Sequence, residues 1–149
     1  MISYAEQKLL ENIVKSSTES LQDIHTLLGK VYDEELALDL NRQAAAYSGW
    51  KEKASGYLLE TGIVPEPVGI LERTRRWGTL QAKTALNVST GYIAGMLVKD
   101  EEERLKTMEK AAGENGVYGE TACRFAKEFM DMEEKNIRIL KTYCGTGSV

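Results

Sequence analysis

The sequence predicts an all-α protein, an antiparallel four-helix bundle. Three observations carry this. Apolar residues recur in alternating steps of three and four over long stretches, the spacing of a helix face that packs on its neighbours. The only prolines, Pro65 and Pro67, fall together in one connection. No segment alternates apolar and polar residues between hairpin turns, as strands do. Helices of about 25 residues are about 38 Å long, and with short connections they pack antiparallel.

The first helix is predicted from Tyr4 to Leu28. Ser3 followed by Glu6 reads as a capping box. Gln7, Leu10, Val14, Ser17, Leu21, Ile24, Leu28 and Val31 step 3-4-3-4-3-4-3, widened by Leu9, Ile13 and Leu27. The second runs from Glu34 to Glu60 behind Asp33 as N-cap. Its seam is Leu36, Leu40, Gln43, Tyr47, Trp50, Ala54 and Tyr57; Gly62 then supplies a left-handed cap, and the prolines forbid continuation. The third is read from Val68 to Val98, rich in small residues, with Ala82, Leu86, Ser89, Ile93 and Met96 in heptad step. A fourth pattern starts at Asp100 as cap with Glu103 three residues on. It breaks between Gly113 and Gly119 and resumes from Glu120 to Tyr143. Asp100 to Ala112 would be an additional short helix or kinked segment, so the fold carries an extra element near 100–119. Residues 1–144 form one domain, and 145–149 a disordered tail.

Composition narrows the function. A chain of 149 residues buries about 70% of its unfolded surface and needs no disulfide or metal staple. The net charge of −4 argues against a general nucleic-acid binder. One His and two Cys exclude most all-protein zinc sites and any disulfide framework. The start, Met1 to Lys8, lacks the basic and apolar regions of a signal peptide. The most apolar window, Leu86 to Val98, is too short and polar to span a bilayer. The expectation is a cytoplasmic protein with no membrane or nucleic-acid partner, its two thiols free in a reducing compartment. No phosphate loop, nucleophile elbow or Cys-x-x-Cys is present.

Polar residues on apolar seams are the candidate site. Gln43 and Tyr47 lie on the second seam, Glu133 and Asn136 on the last, with Ser17, Thr84 and Asn87 on the others. Such groups read first as a buried hydrogen-bond network fixing helix register. A ligand pocket or a single-metal site is the alternative. Asp100 to Glu103 is read as acids favoured by a helix N-terminus. Arg73, Arg75 and Arg76 beside Trp77 are read as a solvated or interface face, and Trp50, Tyr47 and Tyr57 as core or interface aromatics.

Several segments carry a resemblance. They are Leu28 to Val31 with Asp33, Leu40 to Gln43 with Tyr47, then Ala54, Leu58, Gly62 and Pro65. Tyr92 to Met96 and Glu133 to Ile137 with Leu140 and Lys141 complete the set. Over nearly its whole length the chain resembles the ferritin-like superfamily, and within it a family of small bacterial ferritin-like proteins. The resemblance implies the fold and assigns no reaction. Di-metal ferritin-like bundles carry a Glu on each of two helices and Glu-x-x-His on each of the other two. Here His25 follows Gln22 three residues earlier, the second helix offers Gln43 and Ala46, and the last offers Glu133 and Asn136. With a single His, two such motifs are impossible.

The sequence reading is therefore a ferritin-like bundle without an intact di-iron site, with no cofactor, working as a non-enzymatic structural or interaction protein. A homodimer is expected, through Tyr92 and Leu97 beside Ile93 and Met96. The alternative is a reduced metal site drawing on Glu133, Asn136, Gln43 and His25, or a small-molecule pocket lined by Tyr47, Trp50, Thr84 and Met96.

Overall fold

The computed structural model describes residues 2–113 and 119–145. They form five α-helices and no strand: α1 (Tyr4–Leu28), α2 (Glu34–Glu60), α3 (Ile70–Lys83), α4 (Thr90–Gly113) and α5 (Glu120–Cys144). The caps of the first two helices are those the sequence predicts. Glu6 N donates to Ser3 Oγ, and Ser3 N donates to the Glu6 carboxylate, which closes the capping box. Leu36 N donates to Asp33 Oδ1 at 2.9 Å. Gly62 stands at φ 86°, the left-handed backbone that a side chain would strain, and it ends α2 before the prolines.

The middle of the chain departs from the sequence reading. No single helix covers Val68–Val98; the chain breaks at residues 84–89, and Asp100 lies inside α4 instead of capping a new helix. Local chemistry explains the break. The Thr84 hydroxyl donates back to Leu80 O at 2.7 Å, and Asn87 Oδ1 accepts from Ser89 N at 3.0 Å. These short polar side chains compete for backbone groups that a continuing helix would use. Ser89 O then takes the first bond of α4, from Ile93 N at 3.0 Å. Leu86, placed on the seam by the sequence reading, is 101% exposed. The extra short helix is thus α3, not a segment of 100–119. The interruption beyond Gly113 separates α4 from α5; residues 114–118 and the expected tail at 146–149 lie outside the described residues.

Helices α1 and α2 pack along one another, as do α4 and α5. The pairs join through α1 against α4 and α5, and through α2 against α5. Side-chain pairs give the directions. Asp39 meets Tyr143, Gln43 meets Asn136, Tyr47 meets Glu133 and Lys53 meets Glu128, so α2 and α5 are antiparallel. Asp23 meets Arg104, while Asn12 and Lys15 share a cleft with Thr107 and Met108, so α1 and α4 are antiparallel too. It follows that α2 and α4 run the same way. Residues 61–89 must then carry the chain from one end of the core to the other.

They do so along the outside of α1. Pro65 and Pro67 lie beside Lys8 and Glu11, Gln22 Nε2 donates to Arg73 O at 2.7 Å, and Arg76 reaches Asp23. Leu80 is the only residue that α3 buries. Most of the side chains buried between the long helices are apolar, and the aromatics there meet edge to face: Trp50 stands 5.7 Å from Phe125 and 5.9 Å from Phe129 between ring centroids. Among the described residues no helix is long and apolar enough to cross a membrane.

Candidate functional site

A chain of charged and polar side chains runs through this core. It starts at Asp23 of α1, which is fully buried. Arg76 of α3 donates to it through Nε at 3.3 Å and through Nη2, and Arg104 of α4 donates through Nη1 at 3.3 Å. Arg76 Nη1 also meets Glu19 at 3.3 Å. Beyond Arg104 the interior holds Glu101 of α4 and Glu133 of α5, both fully buried. Tyr47 of α2 stands between them, its hydroxyl 3.3 Å from Glu101 Oε1 and 3.5 Å from Glu133 Oε2. The Asn136 side chain also faces that hydroxyl. Gln43 Nε2 donates to Asn136 O at 3.5 Å, and Asn136 Nδ2 lies 3.0 Å from Met132 Sδ.

These contacts are fewer than the groups can make. Glu101 Oε2, Glu133 Oε1, Gln43 Oε1, the Ser17 and Ser20 hydroxyls, and Arg104 Nε and Nη2 are buried with no hydrogen-bond partner. Unpaired polar groups in a dry interior cost free energy, and carboxylates cost most. Burial pushes the carboxyl of Glu133 up to about 8, with the neighbouring charge of Glu101 adding to the rise and Arg104 opposing it. Burial likewise pushes Glu101 up to about 7 against Arg104 and the Tyr47 hydroxyl. Asp23 is also raised by burial, although both guanidiniums pull it down. Burial and the two glutamates hold the Tyr47 phenol well above its ordinary range. For Arg76, burial favours the neutral form, but Asp23 and Glu19 outweigh it, and the guanidinium is held more firmly charged than usual.

The structure brings together four of the residues singled out from sequence: Gln43, Tyr47, Glu133 and Asn136. It separates the others. His25 is exposed on α1. Trp50 is half-buried, with its ring against Phe125 and Phe129. Thr84 is buried at the end of α3, with its hydroxyl on Leu80 O. Among the described residues no three His, Cys, Asp or Glu side chains converge so as to hold a metal ion. Glu133 and Asn136 lie buried on α5, whereas His25 is exposed on α1. Of the stripe expected at a dimer face, Tyr92 and Met96 are half-buried, while Ile93 and Leu97 are enclosed in the chain's own core.

Sequence reasoning missed the charged half of the network. Glu101 sits in the step Ile93, Leu97, Glu101, Leu105, Met108, all buried. That signal is plain once the helix is read through to Gly113, and it was hidden by starting a helix at Asp100. Asp23 lies three residues after Ser20 and four before Leu27, on the buried stripe of α1. Arg76 gave no signal, because its burial depends on where the crossing segment lies.

Comparison with protein-family models, with curated proteins and with solved structures finds no match.

Proposed function

We propose that this chain is a ferritin-like four-helix bundle that acts by association and not by catalysis, docking through the outer face of α3 onto a second copy of itself. In this reading α1, α2, α4 and α5 are the bundle, and residues 61–89 are the long crossover found in ferritin-like folds. The resemblance of the sequence and the parallel course of α2 and α4 support it.

The observation that carries the docking surface is the exposure of α3. Ile70 is 80%, Leu71 82% and Trp77 53% exposed, with Val64 at 78% just before them. Large apolar side chains exposed this close together mark an interaction site. Its flanks carry both signs, Glu66 and Glu72 with Arg73 toward the start and Arg75 and Lys83 toward the end. Two copies of α3 packed antiparallel about a two-fold axis bring Glu66 and Glu72 of each copy toward Arg75 and Lys83 of the other.

The test is the mass by light scattering at about 100 μM, a concentration at which even a weak dimer is populated. The wild type should weigh as a dimer, and the double variant Ile70→Glu, Trp77→Glu as a folded monomer. A monomeric wild type overturns the proposal.

A further inference from the structure

The Tyr47 hydroxyl carries one hydrogen and can donate it to one acceptor at a time. Yet carboxyl oxygens of both Glu101 and Glu133 lie against it, at 3.3 and 3.5 Å. Were both glutamates ionised, one of them would face only the lone pairs of the phenol oxygen. The other oxygen of that carboxylate has no partner either. A proton on that carboxyl turns the contact round: the carboxyl donates to Tyr47 Oη, and Tyr47 Oη donates to the second carboxylate.

The charges around the pair lead to the same place. Helix α1 presents Asp23 and Glu19, α3 presents Arg76, and α4 presents Asp100 and Arg104. From α2 and α5 the neutral amides of Gln43 and Asn136 accompany Tyr47 and Glu133. Arg76 and Arg104 are bound to Asp23 and Glu19. Arg104 draws both glutamates down, but it is shared with Asp23, and Asp100 adds a further negative charge near Glu101. Two carboxylates sharing one buried site, with the nearest cation already bound to a third acid, is an arrangement in which one carboxyl keeps its proton.

We infer that Glu101, Tyr47 and Glu133 form a single proton-binding site inside the helix core, in which one shared proton ties α4 and α5 to α2. The raised carboxyls of both glutamates agree with this. Tyr47 is a positioning residue: its ring packs against Phe129 at 6.2 Å between centroids, and that contact aims the hydroxyl at both acids. Loss of the proton in mildly alkaline solution leaves two like charges on either side of the phenol. The site then becomes a switch that loosens α4 and α5 from α2.

The experiment is infrared spectroscopy of the full, folded chain, with and without carbon-13 in its glutamates, from about pH 6 to about pH 9, the range that brackets the alkaline release. The wild type should show a protonated-carboxyl carbonyl band near neutrality that moves on glutamate labelling. The band should disappear as pH rises, with a loss equal to about one carboxyl per chain. Glu133→Gln and Glu101→Gln should each lack that loss, because the remaining carboxyl then receives the Tyr47 hydrogen bond alone and ionises earlier. A folded wild type with no such band, a band that ignores glutamate labelling, or a band retained in both variants overturns the inference. The labelled wild type decides the matter even where a variant fails to fold.

Discussion

Glu133 shows how burial sets the worth of a side chain. Its carboxyl is fully enclosed, one oxygen lies 3.5 Å from Tyr47 and the other has no partner. Its carboxyl is raised from 4.5 to about 8 on folding, so the folded chain holds this proton more tightly than the unfolded chain. The associated stability is full below 4.5 and is lost as pH rises through about 8. Glu133→Gln removes this dependence, since an amide of the same shape keeps an acceptor for Tyr47 and never ionises. In urea denaturation the variant should therefore match or exceed the wild type, with an advantage that grows toward about pH 8 and then levels off. Glu133→Ala should instead cost about 1–3 kcal/mol, because it leaves Tyr47 short of a partner and opens a void. Equal losses for the two variants would contradict this account.

At the scale of the element, the informative contrast is between α2 and the region after it. Helix α2 begins and ends where Asp33, Gly62 and the prolines put it, because these signals act on backbone groups within a few residues. The pattern over Val68–Val98 lacks a proline or a turn glycine at its true break. Its punctuation lies in the run Thr84 to Thr90, where the Thr84 and Asn87 side chains bond to nearby backbone. Asn87→Ala should cost about 1 kcal/mol, the usual loss when a side chain that holds a helix entry is removed. Asp100→Ala should lose no capping energy, because Asp100 lies within α4. Thermal melts of the two variants check this; the reverse order would restore a helix start at Asp100.

For the molecule as a whole, the crossing segment is the least embedded part. Apart from Leu80, α3 is held by Arg76 on Asp23 and Glu19 and by the Gln22 contact to Arg73 O. Asp23 is thus the point where the crossing segment, α1 and α4 meet. Asp23→Ala strands a buried Arg104 and cuts α3 loose, and the loss of one partner from such a buried cluster costs about 3–5 kcal/mol. Hydrogen exchange should be fastest in α3 of the wild type and should approach the unprotected rate there in the variant, while α2 and α5 stay the best protected. Uniform loss of protection across all helices would show that the segment is not separable from the core.

The sequence by itself determined the long helices and their faces. Periodicity and caps are written within single helices, so α1, α2 and α5 and the burial of Gln43, Tyr47, Glu133 and Asn136 could be read residue by residue. Only the tertiary structure decided which charges meet. Asp23 of α1 meets Arg76 of α3 and Arg104 of α4, and Tyr47 of α2 meets Glu101 of α4 and Glu133 of α5, all far apart in the chain, and whether an acid is solvated or enclosed depends on what packs over it. The same holds for the crossing segment: its helix is amphipathic in either position, and only its course along α1 turns Arg76 inward and leaves Trp77 in water. Local backbone bonding is encoded nearby in the chain; desolvation is a property of the assembled interior.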